Sequence, residues 1–279
     1  MTQNDTYSLE GMSFIITGAS SGIGAETARV VARRGAKVVA ADINDADGAT
    51  VVSEIVENGG TAAYFHCDIT DHSQIRELMQ FTAQTHGGID VLHNNAGMHE
   101  NAFTQEKSIE TLPLEIFDKV FAINVRGMFL CSREAVPYLK ESSYPSIINA
   151  GSISTFVGFP ENLAYGPSKT AVAGLTRNLA VDLARYKIRV NCYCPATIKT
   201  RMVIDYAQGS PDPDATMKEL SGWHLIPRLG ETEEVANLVC FLASKAASFI
   251  TGAVWMIDGG ALSWRASAEM LGLEPEPAG

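Results

Sequence analysis

The 279-residue sequence has no excess of positive charge. Its 21 Lys and Arg residues are outnumbered by 32 Asp and Glu residues, which gives a formal net charge of −11. Nucleic-acid binding requires clustered basic side chains that displace counterions, and docking onto an anionic membrane surface requires the same sign of charge. The charge balance therefore argues against both kinds of partner.

The sequence also lacks long apolar runs, a signal-peptide pattern and paired cysteines. No run approaches the ~20 residues of a membrane-spanning helix, and Met1–Glu10 has neither a basic start nor an apolar centre. The five cysteines form no C-x-x-C pair, and no second Cys or His cluster completes a zinc site. We therefore expect a cytoplasmic protein with reduced, buried thiols and no metal.

What the sequence does contain is an alternation of short apolar runs and helix-length amphipathic segments. Strands are predicted at Ser13–Thr17, Lys37–Ala41, Ala62–Cys67, Val91–Asn94, Ser146–Ala150, Arg189–Cys194 and Ala253–Ile257. Helices are predicted at about 22–34, 45–58, 71–86, 113–140, 163–185 and 231–244. This alternation predicts an α/β fold, with a doubly wound, Rossmann-like parallel sheet of about seven strands and helices on both faces.

The pattern predicts one domain, 11–265, between an N-terminal tail, 1–10, and a C-terminal tail, 266–279, that stays loose unless a partner subunit orders it. Two internal segments break the alternation. Met98–Pro113 is a polar insertion after a predicted strand. Ile198–Pro227 is long and is predicted to be irregular, and we expect it to form a lid over the substrate.

A glycine-rich turn, Thr-Gly-Ala-Ser-Ser-Gly-Ile-Gly over 17–24, comes after the first predicted strand and precedes a helix. Glycines permit a tight turn and let backbone N–H groups approach a pyrophosphate at a helix N-terminus. Such a turn alone also fits a plain strand–helix connection. The dinucleotide interpretation therefore needs support from the second strand.

The residue that ends the second strand supports that interpretation. Asp42 lies 24 residues after Gly18. A carboxylate there can accept hydrogen bonds from an adenosine ribose diol and would repel the 2′-phosphate of NADP. The turn holds Ser20 and Ser21 rather than a Lys or Arg that would offset the repulsion, and the two arginines at the end of the first helix are expected to face solvent. The sequence therefore predicts NAD.

Three residues are candidates for the chemistry. Tyr165 and Lys169 are four apart in a predicted helix and share one face. A free tyrosine, with a pKa near ~10, is a poor base, but a nearby ammonium and an oxidised nicotinamide lower that pKa. Tyr165 would then exchange a proton with the substrate oxygen, and Ser152, just past a strand, would polarise that oxygen. By itself, a Tyr-x-x-x-Lys pair also occurs as an ordinary surface pair.

Together these motifs resemble the short-chain dehydrogenase/reductase family, from about Gly11 to Leu262. The matching residues are Thr17–Gly24, Asp42, Cys67–Ile69, Asn94–Gly97, Asn124, Ser152, Tyr165 with Lys169, and Pro195–Thr200. The TGxxxGxG turn and the chain length are typical of the reductase-type branch. They differ from the longer epimerases and dehydratases of the family.

The resemblance implies a role for each matching residue. The implied catalytic residues are Asn124, Ser152, Tyr165 and Lys169. Asn124 would hold a water that links Lys169 to solvent, Lys169 would also hold the nicotinamide ribose, and Asp68 would bind the adenine amino group. Asn94 is expected to brace the sheet. The implied cofactor-binding set is Gly18, Ser20, Ser21, Gly22, Ile23, Gly24, Asp42, Ile43, Cys67, Asp68, Ile69, Asn95, Ala96, Gly97, Tyr165, Lys169, Pro195, Ile198 and Thr200.

Two residues depart from the family pattern. Ala196 replaces a usual glycine, and its methyl group would narrow the nicotinamide site or shift the loop. His93 stands where an apolar residue is usual before the paired asparagines, either as a proton-linked group or as a packed histidine at a strand end.

The substrate is expected to contact the segment before Tyr165, the residues after Gly97 and the lid. The large side chains there are Met98, Phe156, Val157, Phe159, Met202, Ile204, Tyr206, Met217, Trp223 and Leu225. They suit an apolar, aromatic or alicyclic secondary alcohol or ketone. They equally fit packing of the lid against its own domain.

Two other functions are compatible with these residues. One is a sugar or polyol dehydrogenase, which would favour more polar side chains in the lid, and the other is a non-catalytic NAD-sensing or scaffold protein. A reductase of acyl-carrier-protein substrates is disfavoured by Asp42 and by the acidic composition. The resemblance implies a homotetramer through helices 113–140 and 163–185, with a dimer as the alternative.

Overall fold

Residues 5–264, which the computed structural model describes, form one sheet of seven parallel strands, and the predicted fold class is confirmed. The strands are β1 Ser13–Thr17, β2 Lys37–Asp42, β3 Thr61–His66, β4 Val91–Asn94, β5 Ser146–Ala150, β6 Arg189–Pro195 and β7 Val254–Ile257. Their order across the sheet is β3-β2-β1-β4-β5-β6-β7. Each strand lies within one residue of its predicted bounds.

Apolar side chains cover both faces of the sheet because neighbouring residues of a strand point to opposite sides. Phe14 and Ile16 of β1 pack into the core on one face, and Ile15 packs into the core on the other. A strand buried on both faces is therefore almost continuously apolar, as its sequence is.

The helices lie in two layers. They are α1 Gly22–Arg33, α2 Asp45–Glu57, α3 His72–His86, α4 Leu114–Phe121, α5 Met128–Leu139, α6 Tyr165–Leu183, α7 Arg201–Gln208, α8 Pro213–Gly222 and α9 Thr232–Ala243. Helices α1, α2 and α9 contribute to the core on one face, and α3, α5 and α6 to the core on the other.

Two predicted segments differ from the structure. The helix predicted at 113–140 is interrupted by a π-helical segment, Ala122–Gly127, that separates α4 from α5. The segment 198–227, predicted to be irregular, contains α7 and α8. Helix α8 begins with Pro213 in its first turn, and the Asp212 side chain accepts a hydrogen bond from the Ala215 N–H. Proline is tolerated in the first turn because its missing N–H would have no partner there.

The strand order places a crevice between β1 and β4. The chain leaves β1 toward β2 on one side and leaves β4 toward β5 on the other, and ligands of open α/β sheets bind at such a reversal. Five of the predicted polar residues, Ser20, Asp42, Asn95, Ser152 and Tyr165, lie at or after the ends of four different strands.

The described part of the N-terminal segment packs on the domain, since Leu9 is fully buried and the Thr6 carbonyl accepts a hydrogen bond from the Ala246 N–H. The predicted C-terminal tail, 266–279, lies outside the described residues. Within residues 5–264, none of the helices is both long and apolar enough to cross a membrane. All five cysteines are buried, as predicted.

Candidate active site

A cleft of about 410 Å³ lies at the carboxyl ends of the central strands, within the size range of small-molecule sites. Every predicted cofactor-binding residue except Gly24 lines this cleft, and so does Ser152. Gly24 lies behind the turn, where an added Cβ would collide with the Gly18 carbonyl oxygen. Asn124 does not line the cleft and contacts it through Met98.

The glycine-rich turn needs glycine for two separate reasons. Gly18 has φ +66° and Gly22 has φ +54°, a region that side-chain-bearing residues rarely adopt. A Cβ on Gly18 would also lie 2.8 Å from the Ala96 Cα. The turn therefore packs directly on the loop after β4 and leads into the N-terminus of α1.

Asp42, the last residue of β2, lies beside this turn and lines the cleft. Its Oδ2 accepts a hydrogen bond from the Ser20 N–H at 3.0 Å, and its Oδ1 accepts one from the Asn44 N–H at 3.0 Å. Each carboxylate oxygen retains a further lone pair for a ligand. Ile43 beside it is 65% exposed. Among the cleft-lining residues of the described chain, only Lys169 and Arg201 are basic.

A buried hydrogen-bond chain holds the turn from below. The Asn95 Nδ2 donates to the carbonyls of Thr17 and Gly18, both at 3.0 Å. Its Oδ1 accepts from the Tyr193 hydroxyl at 3.3 Å, and that hydroxyl lies 2.9 Å from the His93 Nε2. Burial lowers the pKa of His93 to about 3, so the ring is neutral at pH 7. His93 is thus a packed histidine that orients Tyr193, the second of the two predicted alternatives.

Asn94 braces the sheet, as expected. Its Nδ2 donates to the Ser132 Oγ at 3.0 Å and to the Asn149 Oδ1 at 2.9 Å. The Asn149 Nδ2 in turn donates to the Thr176 Oγ1 at 2.9 Å. These bonds join β4, α5, β5 and α6, the four elements that carry or support the reactive side chains.

Two further predicted residues lie on the sides of the cleft. The Asp68 Oδ1 accepts from the N–H and the hydroxyl of Thr70, both at 2.8 Å, so this carboxylate is already oriented. Thr200 packs beside the start of α1, since a Cβ on Gly22 would lie 3.4 Å from the Thr200 Cγ2. The start of the segment 198–227 therefore meets the N-terminus of α1 beside the cleft.

Tyr165 and Ser152 are in contact at the inner end of the cleft. Burial raises the pKa of Tyr165 to about 12, and the hydrogen bond with Ser152 acts in the opposite direction. The charges of Cys194 and Glu100 raise this pKa further. In the protein alone the phenol is therefore protonated at neutral pH, whereas the predicted lowering also involves the positive charge of an oxidised nicotinamide.

Lys169 is buried beside Tyr165. It is 3% exposed, its Nζ donates to the Ala150 carbonyl at 2.8 Å, and that Nζ lies 5.4 Å from the centre of the Tyr165 ring. Burial lowers the pKa of Lys169 to about 8, opposed by the nearby Cys192 and Cys194 thiols. The ammonium thus lies beside Tyr165, as predicted, and burial disfavours the charged forms of both groups.

Asn124 lies in the π-helical segment and is fully buried. Its Oδ1 accepts from the Met98 N–H at 2.8 Å, and its Nδ2 donates to the Met98 carbonyl at 2.9 Å and to the Ser168 Oγ at 3.0 Å. Such π-helical segments often occur at functional sites. Here the segment places Asn124 in contact with both the loop after β4 and the first turn of α6.

Two residues next to Tyr165 are absent from the predicted set. The His99 ring stacks on the Tyr165 ring with 4.8 Å between centres, and the fully buried Glu100 accepts a hydrogen bond from the Tyr165 N–H. Both belong to the insertion 98–113, whose polar composition is typical of exposed loops. The sequence holds no sign that a carboxylate in that insertion is buried.

The cleft residues fit a dinucleotide. Gly18 and Gly22 of the turn line the cleft without a side chain, and the carboxylate of Asp42 stands at one end of it. The buried phenol of Tyr165, the hydroxyl of Ser152 and the ammonium of Lys169 lie at the other end, which is the inner end of the cleft. A long ligand with a ribose at one end and a reactive ring at the other matches this distribution of groups.

The comparisons with known proteins agree with this site. Residues 18–261 match the sequence model of the family described as enoyl-(acyl carrier protein) reductase. The chain is 38% identical to an uncharacterised oxidoreductase of Thermotoga maritima, over 90% of this chain and 97% of the relative. It is 37% identical to a 2,5-dichloro-2,5-cyclohexadiene-1,4-diol dehydrogenase of Sphingobium indicum, with the same coverage of both chains. A short-chain type dehydrogenase/reductase from Mycobacterium marinum matches with a TM-score of 0.84 at 33% identity, over 92% of this chain and 98% of that one.

The chain therefore belongs to the short-chain dehydrogenase/reductase family, and the resemblance of its motifs to that family is confirmed. It is an oxidoreductase of that family.

Proposed function

We propose that this oxidoreductase is NAD(H)-dependent and interconverts a secondary alcohol and a ketone. The observation that carries the proposal is the contact between the Tyr165 and Ser152 hydroxyls at the inner end of a cleft whose other end holds the glycine turn and Asp42. An acid/base group and a hydrogen-bond donor at one oxygen position are what alcohol oxidation requires.

The reaction is divided between the cofactor and two hydroxyl groups. The nicotinamide supplies the hydride acceptor or donor. The Ser152 hydroxyl donates to the substrate oxygen and polarises it, while the Tyr165 hydroxyl gains or loses the proton of that oxygen. Because the Tyr165 pKa is about 12 without cofactor, the phenol is ready as an acid for ketone reduction. Alcohol oxidation needs additional positive charge beside it.

Lys169 and Asn124 support that proton transfer. The Lys169 ammonium, bonded to the Ala150 carbonyl, stabilises a phenolate and is positioned to hold the nicotinamide ribose. A Cβ on Gly97 would lie 3.2 Å from both the Lys169 Nζ and the Asn124 Oδ1, so both polar groups face the same point. A water there would connect the ammonium to solvent, which is the relay that the family resemblance implies.

The preference for NAD is attributed to Asp42. Its carboxylate would accept hydrogen bonds from the adenosine ribose and repel a 2′-phosphate. The described cleft is lined by two basic side chains, Lys169 and Arg201, and Lys169 lies beside Tyr165. Ile23, Cys67, Ile69, Ala96 and Pro195 would supply apolar contacts to the cofactor, and Ile198 would contact the carboxamide. The two ends of the cleft thus carry the charges that suit NAD.

The substrate is proposed to be an apolar, alicyclic or aromatic alcohol or ketone. Met98, Met202 and Val203 line the cleft. The rings of Phe159 and Trp223, which follow β5 and α8, stack on each other with 6.1 Å between centres. The name of the Sphingobium relative, which denotes a cyclic diol dehydrogenase, agrees with such a substrate. The name of the matching family points instead to an acyl-carrier-protein substrate, which the net charge of −11 disfavours because an acidic carrier needs a basic docking patch.

The test is NAD reduction with aromatic, alicyclic, steroidal and polyol alcohols, with NADP in parallel, for the wild type and Tyr165→Phe. We expect the variant to bind NAD normally and to lose about 10²- to 10⁴-fold in kcat, while the remote Tyr186→Phe control stays active. If Tyr165→Phe turned over an alcohol as fast as the wild type, the mechanism would be refuted. NAD binding without turnover of any alcohol would favour a sensor or scaffold, and better turnover of polyols would favour a sugar dehydrogenase.

We also propose a homotetramer, in which α5 and α6 contact other subunits. Phe129 of α5 is 42% exposed and Val181 of α6 is 80% exposed, which leaves apolar surface for a partner. A sedimentation mass near 29.9 kDa would contradict this proposal. A cytoplasmic location also stays a prediction, which cell fractionation tests.

A further inference from the structure

Glu100 is a carboxylate buried at the start of the helix that carries Tyr165 and Lys169. Its side chain is 0% exposed. The Oε1 accepts a hydrogen bond from the Ala164 N–H at 3.0 Å, and the Oε2 accepts one from the Tyr165 N–H at 3.1 Å. These bonds join residues 64 and 65 positions apart in the sequence.

This contact is a cap supplied by a distant part of the chain. The first N–H groups of an α-helix have no partner within the helix and carry its partial positive charge. The residue at the N-cap of α6 is Ala164, which has no side-chain acceptor. Glu100 accepts from the Ala164 and Tyr165 N–H groups, and the Asn162 Oδ1 accepts from the Gly166 N–H at 2.8 Å. The burial of the Glu100 carboxylate, which would otherwise be costly, is offset by its two charge-assisted bonds.

The turn that carries Glu100 is itself fixed. The Asn124 side chain holds both the N–H and the carbonyl of Met98. The His99 Nδ1 lies 3.2 Å from the Asn101 N–H and 3.2 Å from the Glu100 Oε2, and its ring stacks on Tyr165. The turn thus connects the π-helical segment to the backbone and the ring of Tyr165.

We infer that Glu100 is a positioning residue: its carboxylate fixes the first turn of α6 and holds the Tyr165 phenol against Ser152. The inference deepens the proposed function, on which its kinetic readout rests. The other carboxylates of the insertion differ, since Glu106 and Glu110 are exposed.

Glu100 also affects the proton equilibrium of Tyr165. Its negative charge is one of the causes that raise the Tyr165 pKa, after burial and the Cys194 thiol. The titratable groups that face Tyr165 are His99, Glu100, Lys169, Tyr193 and Cys194. Removing the charge at 100 while the other four stay in place therefore lowers the pKa of the phenol.

Two variants and one control separate positioning from general stability. Glu100→Gln keeps the length of the side chain and one acceptor but removes the charge, whereas Glu100→Ala removes both acceptors. Glu110→Gln makes the same change of charge on the surface of the same insertion. For each variant, kcat, KM and NAD affinity are measured from neutral to alkaline pH, together with the urea midpoint.

We expect Glu100→Ala to lose about 10²-fold in kcat, because displacement of a catalytic group by about 1 Å has that effect, with NAD affinity changed by less than about twofold. In Glu100→Gln the rise of alcohol oxidation with pH moves to lower pH, and Glu110→Gln behaves as wild type. A Glu100→Gln variant whose kcat and pH profile match wild type would overturn the inference. The inference would also be overturned if the Glu100 variants lost kcat only in proportion to their loss of NAD affinity and of folded protein, with an unchanged pH profile of alcohol oxidation.

The isosteric Gln variant decides the matter if Glu100→Ala does not fold. If wild type oxidised no alcohol, the proposed function would fail, but the inference would still be tested. The phenol of Tyr165 is then titrated by ultraviolet difference against Tyr165→Phe, in the backgrounds of Glu100 and Glu100→Gln. An unchanged titration midpoint would overturn the inference, and a lowered one would support it.

Discussion

Replacing Lys169 by Met is expected to stabilise the protein in the absence of cofactor. Lys169 is 3% exposed, and burial lowers its pKa from 10.5 to about 8. A lysine whose charged form is disfavoured in the folded state destabilises the fold wherever it is protonated in both states. Methionine fills a similar volume with no charge.

The size of the effect is set by the two pKa values. At about 1.4 kcal/mol per pH unit, the depression from 10.5 to about 8 corresponds to about 3 kcal/mol at pH 7. The lost bond from Nζ to the Ala150 carbonyl returns about 1 kcal/mol. The net stabilisation by Lys169→Met at pH 7 is therefore about 2 kcal/mol.

The sign of the pH dependence gives the sharper test. Below about pH 8 the lysine is protonated in the folded and unfolded states, so its cost is complete. As the pH rises from about 8 toward 10.5, the folded protein loses the proton first, and the cost disappears. Between about pH 7 and about pH 9.5, the unfolding free energy of the wild type therefore rises by about 2 kcal/mol relative to that of Lys169→Met. Tyr165, with a folded pKa of about 12 against an ordinary 10.0, affects stability only above this window.

The assay is urea denaturation of both proteins across that pH window without cofactor. Because the Cys194 thiol raises the pKa of Lys169, the pair is also compared in a Cys194→Ala background. A difference in unfolding free energy that stays constant from neutral to alkaline pH would refute the reasoning. It would mean that Lys169 keeps its ordinary pKa in the folded protein.

Two further predictions concern the cofactor. Asp42→Asn replaces a charged acceptor, a change of about 1.5–3 kcal/mol, so the ratio of kcat/KM for NAD to that for NADP should fall by about 10- to 100-fold; an unchanged ratio would remove Asp42 from cofactor selection. Tyr193→Phe removes the hydroxyl between His93 and Asn95 and should raise the Kd of NAD about fivefold, roughly 1 kcal/mol, whereas the exposed Tyr7→Phe should not. A normal Kd for Tyr193→Phe would mean that Asn95 needs no support to hold the glycine turn.

The central strands β1, β4 and β5 were predictable because each is a short apolar run that is buried on both faces. The bounds of β1, β4 and β5 match the predicted ones. Helices α7 and α8 were not predictable, because both are short and Pro213 is typical of a loop when its position in the first turn of a helix is unknown. The π-helical segment was hidden for another reason: its one extra residue per turn leaves the apolar spacing almost unchanged over six residues.

The candidate site shows the same division between motifs and the contacts that join them. Residues that recur at fixed spacing, such as Ser152, Tyr165 and Lys169, are predictable because their chemistry restricts the residue type. The role of Glu100 is not predictable in this way. The sequence of a polar insertion is the same whether its carboxylate faces solvent or contacts the N-terminus of a helix 64 residues away. Only the fold decides that its oxygens meet the Ala164 and Tyr165 N–H groups. Glu100, which contacts the backbone of Tyr165, therefore lies in the segment that sequence patterns describe least.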